Sequence, residues 1–193
     1  MNLDGKKLPR NFYLRPTLHV ARDLIRKTII FYHPDGIVAG DIVEVEAYIG
    51  EDDPACHAAN GKTPRNGIMY GQGGYSYIYF IYGMYHCFNI VTEKEGFPAA
   101  VLVRAVEPVS GVDIMQKSSL QPIRKLTNGP GKFCRAFCLN RDYNGIDLTG
   151  NKLYLIDRGL VKLKLKKTPR IGIKKATRRP WRFFDANSDC ISR

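Results

Sequence analysis

Two short segments carry side chains that could do acid–base chemistry. Along Val43–Tyr48 hydrophobic and functional residues alternate, so Glu44, Glu46 and Tyr48 fall on one face of a strand. A carboxylate flanked by hydrophobes and followed by an irregular loop is a candidate general base. A solvated strand face is the plainer reading of the same pattern. Arg104 interrupts the apolar run Val101–Val106, where a guanidinium is costly unless paired, and Glu46 would be a natural partner. The loop Asp53–His57 adds a histidine close to the candidate base. Thr63, Arg65 and Asn66 suit phosphate oxygens, as do the backbone amide of Gly131 and the side chain of Lys132 at a helix start.

A different chemistry is suggested by Tyr75–Asn89, whose first eleven residues hold five tyrosines. Alternating aromatic and β-branched residues favour strands, and Gly83 directly after Tyr82 offers a turn. A hairpin that lifts flat rings out of a surface suits contact with nucleobases, as a wedge in a base step or a platform for an extruded base. Half-buried tyrosines of an ordinary sheet are the plain alternative.

The elements that must position these groups are bounded by length and charge. At 193 residues and 44% hydrophobic, the chain suits one domain with a full core. Thirty Lys and Arg against 18 Asp and Glu give a net charge of +12, which points to a polyanionic partner without choosing among DNA, RNA and an anionic membrane. No apolar run approaches the roughly 20 residues needed to span a bilayer. The N-terminus lacks the apolar centre of a signal peptide, so an intracellular protein is expected. Five cysteines and four histidines lack zinc-ligand spacing. Cys56, His57 and Cys87 are the one conceivable metal set, and buried thiols are the preferred reading; no metal and no cofactor are expected.

Residues 1–15 read as a loosely held basic arm, and 16–193 as a single domain. A helix follows Pro16, with Leu18, Ala21, Leu24 and Ile25 on one face. Strands are expected at Thr28–Tyr32, Ile37–Tyr48, Tyr75–Val91 and Ala99–Val106, with a functional loop over Ile49–Gly74. Glu107-Pro108 should break the chain before a short helix, Ile114–Lys117. Asn128–Lys132 is a glycine-rich turn into a helix from Phe133 to about Leu139, too short for a Walker phosphate loop. Leu153–Ile156 and Val161–Leu165 read as strands, and Pro169–Phe184 is basic and aromatic together. Meandering strands with few helices make an α+β pattern, a largely antiparallel curved sheet with a protruding hairpin and flanking helices.

Glu44–Tyr48, Asp53–His57, Thr63–Asn66, the tyrosine segment through Asn89, Val101–Pro108, Asn128–Lys132 and Arg170–Ile173 occur in an order and spelling that resembles the alkyladenine (3-methyladenine) DNA glycosylases, monofunctional base-excision enzymes. The resemblance spans about residues 16–184. It implies Glu46 as the general base holding an attacking water, with Arg104 and the backbone carbonyl of Ile171 as further contacts to that water. It also implies Tyr48, His57 and Tyr79 as walls of a flipped-base pocket, and Asn89 as the side chain that disfavours guanine. Tyr82 becomes the wedge in the minor groove, with Met84 and Cys87 flanking wedge and pocket. The implied partner is double-stranded DNA containing damaged purines, with the protein a monomer and no membrane involved. His86 stands where an aromatic or apolar residue is expected, and Ile191–Arg193 would leave any closing strand short; neither departure falls on the catalytic set.

Three alternatives remain at this level. A DNA-binding module without catalysis keeps the charge and the aromatics but has no use for Glu46 and Arg104. A nucleobase deaminase needs a zinc motif that the sequence lacks. A bifunctional glycosylase/lyase needs an amine nucleophile, and no lysine is singled out by an apolar setting.

Overall fold

The computed structural model describes residues 3–161 and 164–192. In chain order the elements are β1 (Lys6–Lys7), α1 (Arg10–Tyr13), α2 (Thr17–Leu24), β2 (Thr28–His33), β3 (Gly36–Ile49), β4 (Ser76–Ile81), β5 (Tyr85–Val91) and β6 (Ala99–Ser110). There follow α3 (Val112–Gln116), α4 (Ile123–Leu126), α5 (Pro130–Ala136), β7 (Leu153–Asp157), β8 (Leu165–Thr168) and β9 (Arg182–Asp185). The strands form one antiparallel sheet in the order β1-β7-β2-β3-β6-β5-β4, with β9 joined to β3 and β8 to β9. This is an α+β domain. Its spine is β3, which pairs with β2 through its first half and with β9 at Glu44–Glu46, while β6 runs along its other edge.

Strand parity explains the layering. Val45 and Ala47 of β3, Ile78 of β4, Phe88 and Ile90 of β5, and Val101 and Val103 of β6 enter the main core. Leu24 of α2, Phe133 of α5 and Phe137 just after it meet them there. Successive residues on a strand point to opposite faces. Glu46, Tyr48, Tyr77, Tyr79, Cys87, Asn89, Leu102 and Arg104 therefore face away from that core. Register then draws them together: Glu46 pairs with Leu102, Leu102 with Asn89, and Asn89 with Tyr77. One cross-strand row thus runs from the candidate base to the tyrosine hairpin.

Several sequence expectations are corrected. The supposed loose arm is built into the fold: Lys6–Lys7 extends the sheet against β7, and Leu8 and Tyr13 are buried. Arg10 donates to the carbonyl of Gly73 at 2.7 Å and pairs with Asp147 at 2.5 Å. Pro108 does not end its strand, because β6 continues to Ser110. Pro108 lies opposite Gly40 next to a register shift in β3, and a bulge tolerates a residue that cannot donate to the ladder. The helix at the glycine-rich turn begins at Pro130, three residues early, with proline in its first turn where no amide donor is needed. The strand expected at Val161–Leu165 lies partly outside the described residues; the described strand is Leu165–Thr168, and Val161 is exposed. No helix among the described residues is long and apolar enough to cross a membrane.

Candidate active site

The row of sheet residues floors a cavity of about 480 Å³, inside the roughly 300–1,000 Å³ typical of small-molecule sites. Tyr48, His57, Tyr77 and Tyr79 supply its aromatic walls, Asn89 and Arg104 its polar floor, and Tyr82 and Tyr85 a lip at the mouth. Glu46 is fully buried behind three residues of the lining, Tyr48, Arg104 and Ile171, and accepts on both oxygens. The Ile171 amide donates to Oε1 at 2.7 Å, the Tyr48 hydroxyl donates to Oε2 at 2.9 Å, and Arg104 Nη1 stands 3.2 Å from Oε2. The pairing of Arg104 with Glu46 expected from sequence is present. Of the strand face that sequence left as solvated or functional, Glu44 and Glu46 are fully buried and Tyr48 is partly buried.

Arg104 serves two carboxylates. Its Nε donates to Glu44 Oε1 at 3.1 Å. Glu44 also accepts from Arg182 Nε at 2.6 Å, and from the Ser192 amide at 2.5 Å and hydroxyl at 2.8 Å. Two glutamates and two arginines thus form a charge-balanced buried cluster, as buried ions require. Burial opposes the charge of Arg104, but Glu46 and Glu44 outweigh it and hold the guanidinium above its ordinary range. Ser192 thus brings the C-terminal segment onto Glu44 and Arg104.

Burial, with the Glu46 carboxylate adding to it, holds the Tyr48 hydroxyl far above its usual range, and it remains a donor. Burial likewise raises Tyr77 to about 12 and Tyr79 further, the latter reinforced by Cys87. His57 meets Tyr79 edge-on at 4.5 Å between ring centres, and its Nδ1 lies 2.8 Å from the Tyr77 hydroxyl. Desolvation of the ring against Tyr77 and Tyr79, with the nearby Arg65, pulls His57 down to about 4 although the residue keeps an exposed edge, and the ring is neutral at neutral pH. Asn89 is buried, its Nδ2 donating to the Tyr77 carbonyl at 2.9 Å and the Cys87 carbonyl at 3.3 Å. That side chain cannot swing aside. Cys87 lines the cavity with its thiol raised by burial, which makes it inert as a nucleophile.

Tyr82 sits at the tip of the β4–β5 hairpin, 80% exposed and at φ 54°. A bulky residue in the left-handed region is uncommon, and here it projects the ring from the tight turn completed by Gly83. Met84 beside it is 64% exposed and stands outside the main cavity. His86 packs on Phe80 with ring centres 5.0 Å apart.

The candidate phosphate contacts divide. Thr63 and Arg65 are exposed. Arg65 leans across the Tyr79 ring at 5.2 Å and donates to the Phe80 carbonyl at 3.4 Å. Lys132 Nζ donates to Asn128 Oδ1 at 2.8 Å. At Gly131 a Cβ would stand 2.8 Å from the Tyr85 ring, so only glycine allows this approach of α5 to the hairpin. Asn66 is different. It is 1% exposed, and its amide donates to the carbonyls of His57 at 2.8 Å and Gly61 at 3.0 Å. The expectation that it contacts phosphate is corrected: it fastens the pocket loop from within.

Sequence reading missed Tyr77, Glu44 as second partner of Arg104, Arg182, Ser192, and the buried pair Arg170–Asp53. Tyr77 could have been found from its place in the alternation with Tyr79. For Arg170 the only signal was an arginine beside the apolar Ile171. For Ile171 the structure adds a contact not expected, its amide on Glu46. Among the described residues no group of three or more His, Cys, Asp or Glu is placed to hold a metal ion.

Comparison with known proteins places the chain in a family. Relatives provisionally named 3-methyladenine DNA glycosylase include one from Methanocella arvoryzae, 54% identical over 96% of both chains. One from Sodalis glossinidius is 48% identical over 94% of this chain and 98% of its own. One from Alkaliphilus oremlandii is 45% identical over 97% of this chain and 99% of its own. The family profile described as Methylpurine-DNA glycosylase (MPG) matches residues 11–189, and the chain belongs to that family.

Proposed function

We propose that the protein flips an alkylated or deaminated purine out of duplex DNA and hydrolyses its N-glycosidic bond, leaving an abasic site. As a family member it is a DNA glycosylase of the 3-methyladenine type, a hydrolase of N-glycosyl bonds that acts in DNA repair. The observation that carries the mechanism is the buried Glu46, held by three donors at the edge of an aromatic cavity whose lip is the exposed Tyr82. A base inside a duplex is shielded by stacking, so it must be extruded, and damage weakens the stack to be given up. Tyr82 fills the vacated step with Met84 beside it, while Tyr48 and Tyr79 sandwich the extruded purine and neutral His57 hydrogen-bonds its edge.

Glu46 then holds and deprotonates a water, with Arg104 and the Ile171 carbonyl as the other contacts to it. Departure of the base leaves an oxocarbenium-like sugar, which a carboxylate at that position also stabilises. A ring-alkylated purine carries its own positive charge and leaves readily. Hypoxanthine and ethenoadenine are included as neutral lesions, and Asn89 excludes guanine by standing against its 2-amino group. Arg65, Thr63, Lys132 and the Gly131 amide track phosphates at the rim. In this reading the protein acts without a cofactor, as a monomer, on DNA inside the cell. The test is chromatographic: duplexes bearing methylated purine, hypoxanthine or ethenoadenine are incubated with the protein and the freed base is identified. Release of methylated purine is expected, and release of none of the three would overturn the reading.

A further inference from the structure

Behind the cavity, outside its lining, lies a buried ion pair with no part in the chemistry so far. Arg170 and Asp53 have fully buried side chains joined by two hydrogen bonds, at 2.6 and 2.8 Å. The same guanidinium donates from Nη1 to the carbonyl of Ala47 at 2.9 Å. It lies over the Tyr48 ring at 4.6 Å and the Trp181 ring at 5.1 Å. Arg179 covers Trp181 at 4.7 Å and approaches Asp53 at 3.7 Å. The Ala47 amide donates to the Trp181 carbonyl at 2.9 Å, so the residue between Glu46 and Tyr48 is held at both its amide and its carbonyl. The next residue after Arg170 is Ile171, whose amide bonds Glu46.

One side chain therefore ties three separate segments: the pocket loop through Asp53, the catalytic strand through Ala47 and Tyr48, and the loop that presents the Ile171 amide. We propose that Arg170, clamped by Asp53, is a positioning residue that sets Glu46 and the plane of Tyr48 without touching the substrate. A planar fork is needed for this. Lysine keeps the charge but cannot hold a carboxylate bidentately, reach a carbonyl and cover two rings at once. The inference rests on Glu46 being the general base.

The test is a double-mutant cycle read by single-turnover release of 3-methyladenine from dimethyl-sulfate-treated duplex. Binding is measured separately on a duplex carrying a tetrahydrofuran abasic analogue. Arg170→Lys is the first variant. Removing one member of a buried pair can unfold a protein, so the combined Asp53→Leu and Arg170→Met variant, which leaves no unpaired buried charge and only the partly exposed Arg179 without Asp53, is the second. Both should slow release by about 10- to 100-fold, the scale of a small misplacement of reacting groups, with affinity within a few-fold of the parent. In a Glu46→Gln background neither should slow release much further, because groups acting through one another are not additive. Release rates within twofold of the parent, an equal loss in both backgrounds, or a loss matched by lost binding would each overturn the proposal. If Glu46→Gln alone is fully active, the failure lies instead with the assignment of the base.

Discussion

Replacing Glu46 by Gln changes one atom, and the structure says what that atom does. Oε1 accepts the Ile171 amide, and Oε2 accepts the Tyr48 hydroxyl and faces Arg104 at 3.2 Å. An amide nitrogen in either place faces a donor with a donor. The Tyr48 hydroxyl can turn to accept, so the nitrogen settles on the Oε2 side and Arg104 loses a partner. Removing one member of a buried pair costs about 3–5 kcal/mol. Arg104 keeps Glu44 at 3.1 Å, so the stability loss falls below that range and the variant should fold. The chemical loss is larger in effect. General-base assistance contributes about 10²–10⁴ in rate, or about 2.7–5.4 kcal/mol at the barrier at 1.36 kcal/mol per decade. The assay is single-turnover base release, with lesion-duplex affinity measured in parallel. Release should fall by that factor while binding stays near the parent value. Full release by a folded Glu46→Gln protein would remove Glu46 from the mechanism.

Other substitutions separate the remaining roles. Tyr82→Ala should weaken capture of the extruded base at unchanged protein stability, because a residue 80% exposed contributes little to the core; unchanged fluorescence of a duplex carrying ethenoadenine would argue against a wedge. Asn89→Ser should raise excision of undamaged guanine more than it alters release of hypoxanthine, which lacks the 2-amino group, and equal guanine excision by both proteins would count against that role. DNA affinity should fall steeply with salt, each phosphate contact adding about −0.9 to the slope of log K against log salt. Arg65→Ala or Lys132→Ala should each shallow the slope by roughly one unit; no change in either would place the footprint elsewhere, on Lys174–Arg182. His57 is held at about 4 in the folded protein against an ordinary 6.5, so the unfolded chain binds more protons between those values. Stability from this residue is full above about pH 6.5 and declines as pH falls toward 4. Its outer edge meets solvent, and screening keeps the amount below about 1 kcal/mol. His57→Gln should flatten that decline in melting temperature.

Much of the sheet was legible because alternation is a local property. Parity alone put Glu44, Glu46 and Tyr48 on one side of β3. Whether that side met solvent was not local. It depended on β9, the C-terminal Ser192 and the loop at Ile171 closing over Glu44 and Glu46 from more than a hundred residues away. The same limit hid Arg170, whose partner Asp53 lies 117 residues earlier in the chain. Pro108 misled because a bulge in the neighbouring strand, invisible in its own segment, removed the penalty for a missing amide. The basic residues 1–15 looked loose by composition, yet Tyr13 fills the core and Arg10 finds Asp147, contacts that only the folded chain supplies.

In the proposed mechanism water, activated by Glu46, takes the place of the purine at C1′. The fate of that carbon can be read in one reaction, in which the protein is incubated with lesion duplex in the presence and absence of borohydride. Water as nucleophile predicts free base, a strand that stays intact until treated with alkali, and no protein–DNA adduct under borohydride. A borohydride-trapped adduct forming at the rate of base release would show an amine at C1′ instead, and would contradict the role assigned to Glu46.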